Sequence, residues 1–179
     1  MRNITKIIWV PIITSLLLAG CSTQVDETVR DDNGKILESG DMGALKIKVG
    51  DCINGIDIPE QTDTFIKVDT VKGVPCSGPH HWEAISTTQS NLSSYNSDAV
   101  IKEAVDYCSS PESFSFLNSK SEDELNQINE KYANASTFYT FPLDEYTWDN
   151  QKEIMCFTGS DSEYYEGSIR DWNKVKKVV

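Results

Sequence analysis

The sequence predicts an α+β fold: a single disulfide-stapled domain with a largely antiparallel sheet and two or so helices. Three observations predict it. Apolar and polar residues alternate in "LKIKVGDCI", "TFIKVDTV" and "HWEAIST", the period of half-buried strands. The period lengthens to that of a helix in "SDAVIKEAVDYC" and "SEDELNQINEKYANA", then returns to strand-like runs in "STFYTF" and "KEIMCF". Strands, then helices, then strands argue for segregated elements rather than a repeated βαβ unit. Finally, Cys52, Cys76, Cys108 and Cys156 all fall in the region predicted to fold.

Residues 1–20 read as a lipoprotein signal peptide. Arg2 and Lys6 supply a positive start, and an apolar run follows from Ile7 to Gly20. The run is interrupted by Pro11 and is too short to span a bilayer as a helix. It ends in "LAGC", small residues before a cysteine, the pattern of a bacterial lipobox. Cleavage after Gly20 and diacylglycerol on the Cys21 thiol are expected. Each buried acyl methylene contributes about 0.8 kcal/mol, and two chains anchor stably where one is marginal. The membrane is thus a partner through the lipid anchor. The domain is expected on the outer side of the cytoplasmic membrane, in the cell envelope.

Residues 21–43 read as the lipid anchor and a flexible acidic tether. The stretch "STQVDETVRDDNGKILESGDMG" is polar and without hydrophobic period. A coil of this length spans about 25 Å on average. "DDNG" within it is not an EF-hand, because counting back from Gly34 puts Val29 where the first calcium ligand belongs.

The folded domain is assigned to residues 44–179. Leu45, Ile47 and Val49 would share one face of its first strand, and Ile66, Val68 and Thr70 one face of its second. "HWEAIST" is the third, followed by a polar loop. A helix then follows with Val100, Ala104, Tyr107 and Cys108 on one face, capped by Asn96 or Ser97 and stopped by Pro111. Ser121 and Glu124 stand at capping-box spacing before a second helix, whose stripe is Leu125, Ile128 and Tyr132. "GSIRDW" closes the domain as a short strand or turn.

An even count of cysteines beyond Cys21, in an exported chain, reads as two disulfides. No C-x-x-C pair offers closely spaced zinc ligands. Four cysteines allow three pairings. Cys52–Cys76 with Cys108–Cys156 is preferred because each closes a moderate loop, worth roughly 3–4 kcal/mol on a chain-entropy model.

The chain carries a formal net charge of −12, and loss of Arg2 and Lys6 with residues 1–20, which hold no acidic residue, takes it to −14. Such a chain repels a phosphate backbone, so nucleic acid is not an expected partner.

Chemistry concentrates in "VPCSGPHHWEAIS", Val74–Ser86, which holds both histidines of the chain. On a strand, His81, Glu83 and Ile85 face one way and Trp82, Ala84 and Ser86 the other, so His80 and His81 should diverge. His81 and Glu83 could share a metal on the outer face, but zinc needs a third protein ligand and the sequence nominates none. A structural corner is the stronger reading: Gly78-Pro79 turns the chain, Cys76 staples it, Trp82 packs inward, and a histidine bonds a loop carbonyl or Glu83. The chain lacks G-x-S-x-G, H-E-x-x-H and Ser-x-x-Lys. The expectation is therefore no enzyme activity, no metal and no cofactor. Aromatic residues crowd the C-terminal half, and exposed tyrosine and tryptophan suit binding grooves. His80, His81, Glu83 and Trp148 are the candidate binding residues.

Taken in order, these landmarks resemble the septum-formation family of bacterial envelope proteins. The matching positions are Gly50, Asp51 and Cys52; Cys76, Pro79, His80 and Glu83; Cys108; Pro142 and Trp148; Cys156; and Gly167 with Ser168. The chain departs from the family in "WDNQKE", where a glycine often follows the tryptophan, and in an acidic helical insert at Ser121–Ala135. The resemblance implies disulfides, a structural role for His80, a place outside the membrane and a part in cell division. It implies no catalytic residues.

The functional expectation is a non-enzymatic envelope lipoprotein that binds another envelope protein or cell-wall component, in septum formation by resemblance. The alternatives are a metal-dependent or hydrolytic enzyme centred on His81 and Glu83, and an inhibitor or immunity-type lipoprotein.

Overall fold

A computed structural model of the chain describes residues 26–56, 68–141, 145, 148 and 151–178. The predicted signal segment, Cys21, the Thr64–Lys67 part of the predicted second strand and Pro142 lie outside the described residues. No described helix is long and apolar enough to cross a membrane.

The fold is α+β, built on one six-stranded antiparallel sheet. In chain order its strands are β3 (Gly40–Gly43), β4 (Cys52–Asn54), β5 (Thr70–Val74), β6 (Trp82–Gln89), β7 (Ser136–Thr140) and β8 (Glu153–Gly159). In space the order is β3-β5-β4-β6-β8-β7, with every described pairing antiparallel. Two small ribbons flank it: β1 (Val29–Arg30) with β2 (Ile36–Glu38), and β9 (Tyr164–Glu166) with β10 (Lys176–Val178).

The two long helices form where the 3.6-residue period lies. Helix α1 (Ser97–Cys108) is capped by Asn96, whose side chain accepts from the Ala99 N–H, and it buries Val100, Ala104 and Cys108. That face packs on β7 and β8. Helix α2 (Glu122–Lys131) opens with the full capping box of Ser121 and Glu124 and buries Ile128. Both disulfides form in the preferred pairing, Cys52–Cys76 and Cys108–Cys156, with Cα separations of 5.2 and 5.5 Å.

Strand β6 lies deep in the sheet. Trp82, Glu83, Ala84 and Ile85 are all buried, and only beyond Ser86 does the burial alternate. Trp82 and Ala84 face a core with Ile53, Met42, Val71 and Phe157. Ile85 faces a second core with Val100, Trp148, Ile154 and Ile169.

Three expectations need correction. Residues 26–43 are not tether: they form β1, β2 and β3, and Ile36 and Met42 are buried in the first core. What folds them is not an apolar period. The Arg30 guanidinium forks onto both Asp51 oxygens at 2.7 and 2.9 Å and also donates to the Gly34 carbonyl. A Cβ on Gly40 would meet the Glu27 carbonyl at 2.5 Å, so β3 takes no side chain there.

Secondly, "LKIKVGDCI" is not one strand. Ala44–Lys46 is a 3-10 turn, and the chain reverses at Lys48–Asp51, where Asp51 accepts from the Lys48 N–H and Gly50 sits at φ 94°. Ile47 is buried, whereas Val49 is exposed. Thirdly, "GSIRDW" is neither strand nor simple turn. Ile169–Lys174 is a kinked 3-10 segment capped by Ser168, and the chain runs on into β10.

Candidate functional site

The corner Val74–Ser86 is built where three other segments meet it: β4, the end of β8 and Tyr165–Gly167. Cys76 bonds to Cys52 at the start of β4. The turn closes with Gly78 N–H donating to the Pro75 carbonyl at 2.9 Å. His80 then pairs by its backbone with Tyr165 in both directions, at 2.9 and 2.8 Å. Asn54 clamps the corner from β4: its amide donates to the Pro79 carbonyl at 3.1 Å and its oxygen accepts from the His81 N–H at 2.8 Å. Gly167 N–H donates to the Cys76 carbonyl. Gly159 makes the closest approach. A Cβ there would lie 2.0 Å from the His81 carbonyl oxygen, so β8 can pass the corner only with glycine at that position.

The two histidines do diverge. The His81 ring sits 3.9 Å from Tyr164, centroid to centroid, and its Nδ1 lies 2.9 Å from the Ser160 carbonyl. His80 turns inward, is 2% exposed, and places Nδ1 3.0 Å from the Gly78 carbonyl. A carbonyl only accepts, so Nδ1 carries the proton and Nε2 keeps its lone pair. Burial holds the His80 pKa below its ordinary value, since a buried imidazolium loses its hydration.

Glu83 shares the buried region. Ser168 Oγ donates to one of its oxygens at 2.6 Å and the Ile169 N–H to the other at 2.7 Å. Burial pushes its pKa up, and these two donors pull part of the way back. Arg170, next along, donates to the Ile85 carbonyl at 2.6 Å and lies over the Phe116 ring. The 3-10 segment is thus fastened across the face of β6 that alternation assigned to the outside.

That placement corrects the reading of His81 and Glu83 as one outward-facing pair. Among the described residues the compact ligand-type cluster is Cys52, His80 and Glu83, whose Sγ, ring nitrogen and carboxylate oxygen lie within 4.8 Å of one another. All three residues are buried, and the Cys52 sulfur is bonded to Cys76. Trp148 is elsewhere. It is fully buried in the second core, with Tyr95 edge-on at 5.9 Å and Lys152 Nζ 5.6 Å over its ring. Of the four candidate binding residues, His81 alone reaches the surface in part; a docking partner would touch none of the other three directly.

Sequence reasoning on the corner missed its supports: Asn54, Ser168, the Ile169 N–H and the Arg30–Asp51 pair. A signal for them existed. "VGDCI" and "GSIRD" read from the sequence only as landmarks, yet the Gly50 N–H donates to the Ala84 carbonyl, the Asp51 carbonyl accepts from the Ala84 N–H, and Ser168 Oγ donates to Glu83. Landmarks more than 80 residues apart in sequence, Glu83 and Ser168, meet at one point.

The chain matches no protein-family model, no curated protein and no solved structure.

Proposed function

We propose that this protein is a non-enzymatic cell-envelope lipoprotein whose extracytoplasmic domain binds another envelope component. The observation that carries the reading is "LAGC" at Leu18–Cys21, followed almost at once by a disulfide-stapled fold. Disulfides belong to chains exported from the reducing cytoplasm. A lipid on Cys21 would hold the domain close. Asp26 opens the described fold five residues on, and five residues reach at most about 18 Å. The domain would ride against the bilayer instead of on a long leash.

The non-enzymatic part is supported by how the corner spends its reactive groups. Both Glu83 oxygens hold the Ser168–Ile169 segment, and His80 is turned into the fold. These groups fasten chain segments together. A place at the division septum is proposed from the family resemblance alone.

Three experiments test the reading. Radiolabelled palmitate should enter the wild-type protein and not Cys21→Ala; equal label in both would end the lipoprotein assignment. A photocrosslinking residue at exposed Tyr164 should capture a discrete envelope component in growing cells. Fluorescently tagged protein should concentrate at the septum during division, and uniform peripheral label throughout would remove the septal role.

A further inference from the structure

The cluster of Cys52, His80 and Glu83 combines, besides its structural hydrogen bonds, a donor set suited to a metal. Sulfur, imidazole nitrogen and carboxylate oxygen are the ligand types zinc takes in proteins. Cys76 adds a second sulfur, since its Sγ is bonded to that of Cys52. Four donors would complete a closed tetrahedral site. His80 is oriented as zinc-bound histidines are: one ring N–H is given to a backbone carbonyl, here Nδ1 to Gly78, which fixes the tautomer with the other nitrogen free to ligate. Glu83 is likewise held by donors from Ser168 and Ile169.

In the oxidised protein both sulfurs are committed to each other. The three donor atoms lie within 4.8 Å of one another. Ligand pairs around tetrahedral zinc stand roughly 3.3–3.8 Å apart, from its bond lengths of about 2.0–2.3 Å. Once the bond between the sulfurs is broken they would separate to that spacing, and the Cys76 sulfur, which lies outside the 4.8 Å group, would move in toward His80 and Glu83.

We propose that reduction of the Cys52–Cys76 disulfide converts this corner into a zinc site formed by Cys52, Cys76, His80 and Glu83. The reductant is a dithiol of the thiol–disulfide exchange class. It gives two electrons and two protons, its own thiols become a disulfide, and Cys52 and Cys76 become thiols. Zinc then displaces the thiol protons and binds two thiolates, the neutral His80 imidazole and the Glu83 carboxylate. The corner is thereby a redox-controlled metal site: disulfide-closed when oxidised, zinc-closed when reduced. This holds independently of lipid anchoring or septal placement.

The test uses the full-length protein in detergent, with and without a phosphine reductant, titrated with cobalt(II) as a spectroscopic stand-in and then with zinc. The reduced protein should take up one equivalent of cobalt with thiolate-to-cobalt charge-transfer absorption, and zinc should displace it. The oxidised protein should show no such band. His80→Ala together with Glu83→Gln should lose stoichiometric binding in the reduced state, whereas Cys108→Ala with Cys156→Ala should retain it. Equal uptake by oxidised and reduced protein would overturn the proposal, as would binding that survives loss of His80 and Glu83. Should reduction alone unfold the chain, zinc binding supplies folding energy. Stoichiometric zinc must then restore the native near-ultraviolet dichroism, and failure to restore it also overturns the site.

Discussion

The two disulfides hold their regions in opposite ways. Cys108–Cys156 joins α1 to β8 inside an apolar core of Val100, Ala104, Trp148, Ile154 and Ile169. Cys52–Cys76 joins β4 to a turn, and hydrogen bonds from Asn54, Ser168, Ile169, Tyr165 and Gly167 do the rest. Apolar burial is non-directional, so the first region packs a helix on a sheet by shape and needs no particular donor. The second region depends on directed donors whose loss leaves a buried polar atom unmatched. One covalent device thus secures a packed layer in one place and a polar joint in the other.

Removing each staple should separate the two regions most sharply. Cys108→Ala with Cys156→Ala opens the longer loop, 48 residues against 24. It should cost about 4 kcal/mol on the chain-entropy scale, slightly more than Cys52→Ala with Cys76→Ala. Urea unfolding followed by fluorescence measures both, and a smaller cost for the longer loop would show that the polar joint depends more on its bridge.

Next is the ion pair that fastens β1 to the corner. Asp51 has 4% of its side chain exposed and Arg30 12%. Arg30→Ala strands a buried carboxylate and should cost on the order of 3 kcal/mol. Hydrogen exchange should show β1 and β2 released first; protection unchanged there would mean that Ile36 and Met42 hold them alone.

Glu83→Ala comes third. It leaves Ser168 Oγ and the Ile169 N–H without their acceptor, a loss of about 1–3 kcal/mol. Glu83→Gln keeps an acceptor in place and should cost less, and a larger cost for Gln than for Ala would break the polar-joint account.

The pH dependence is smaller and has two signs. The folded pKa of His80 is lowered from 6.5, so below that value the unfolded chain binds the extra proton first. Stability contributed by neutral His80 is present above 6.5 and lost as pH falls through the lowered folded value. Glu83 runs the other way: its folded pKa is raised from 4.5, so stability is present below 4.5 and declines as pH rises through the raised value. His80→Gln should remove the acid-side loss from a melting-temperature profile and leave the Glu83 limb. The apolar region around Cys108–Cys156 should add no comparable slope.

Much of the fold was legible because apolar periodicity is a local signal. Val100, Ala104 and Cys108 fall on one helix face by spacing alone, and Ser121 with Glu124 marks the start of α2. The cysteine pairing was legible from loop length. The segment 26–43 was not, because Arg30 finds its charge partner at Asp51 and leaves no period behind. Alternation correctly put Glu83 opposite Trp82. It could not say that a segment 85 residues later would cover that face.

By itself, the sequence determined the two long helices and their caps, the strands of "HWEAIST", "STFYTF" and "KEIMCF", that four cysteines form two bridges, and that His80 and His81 point apart. These follow from short-range sterics and periodicity, which need only neighbouring residues. Tertiary structure alone decided which groups share one volume. It put Cys52, His80 and Glu83 together, drew residues 26–43 into the fold as a flanking ribbon and an edge strand, and buried Trp148 away from the corner. Burial and hydrogen-bond partnership depend on segments arriving from far along the chain, and no local pattern encodes which segment arrives.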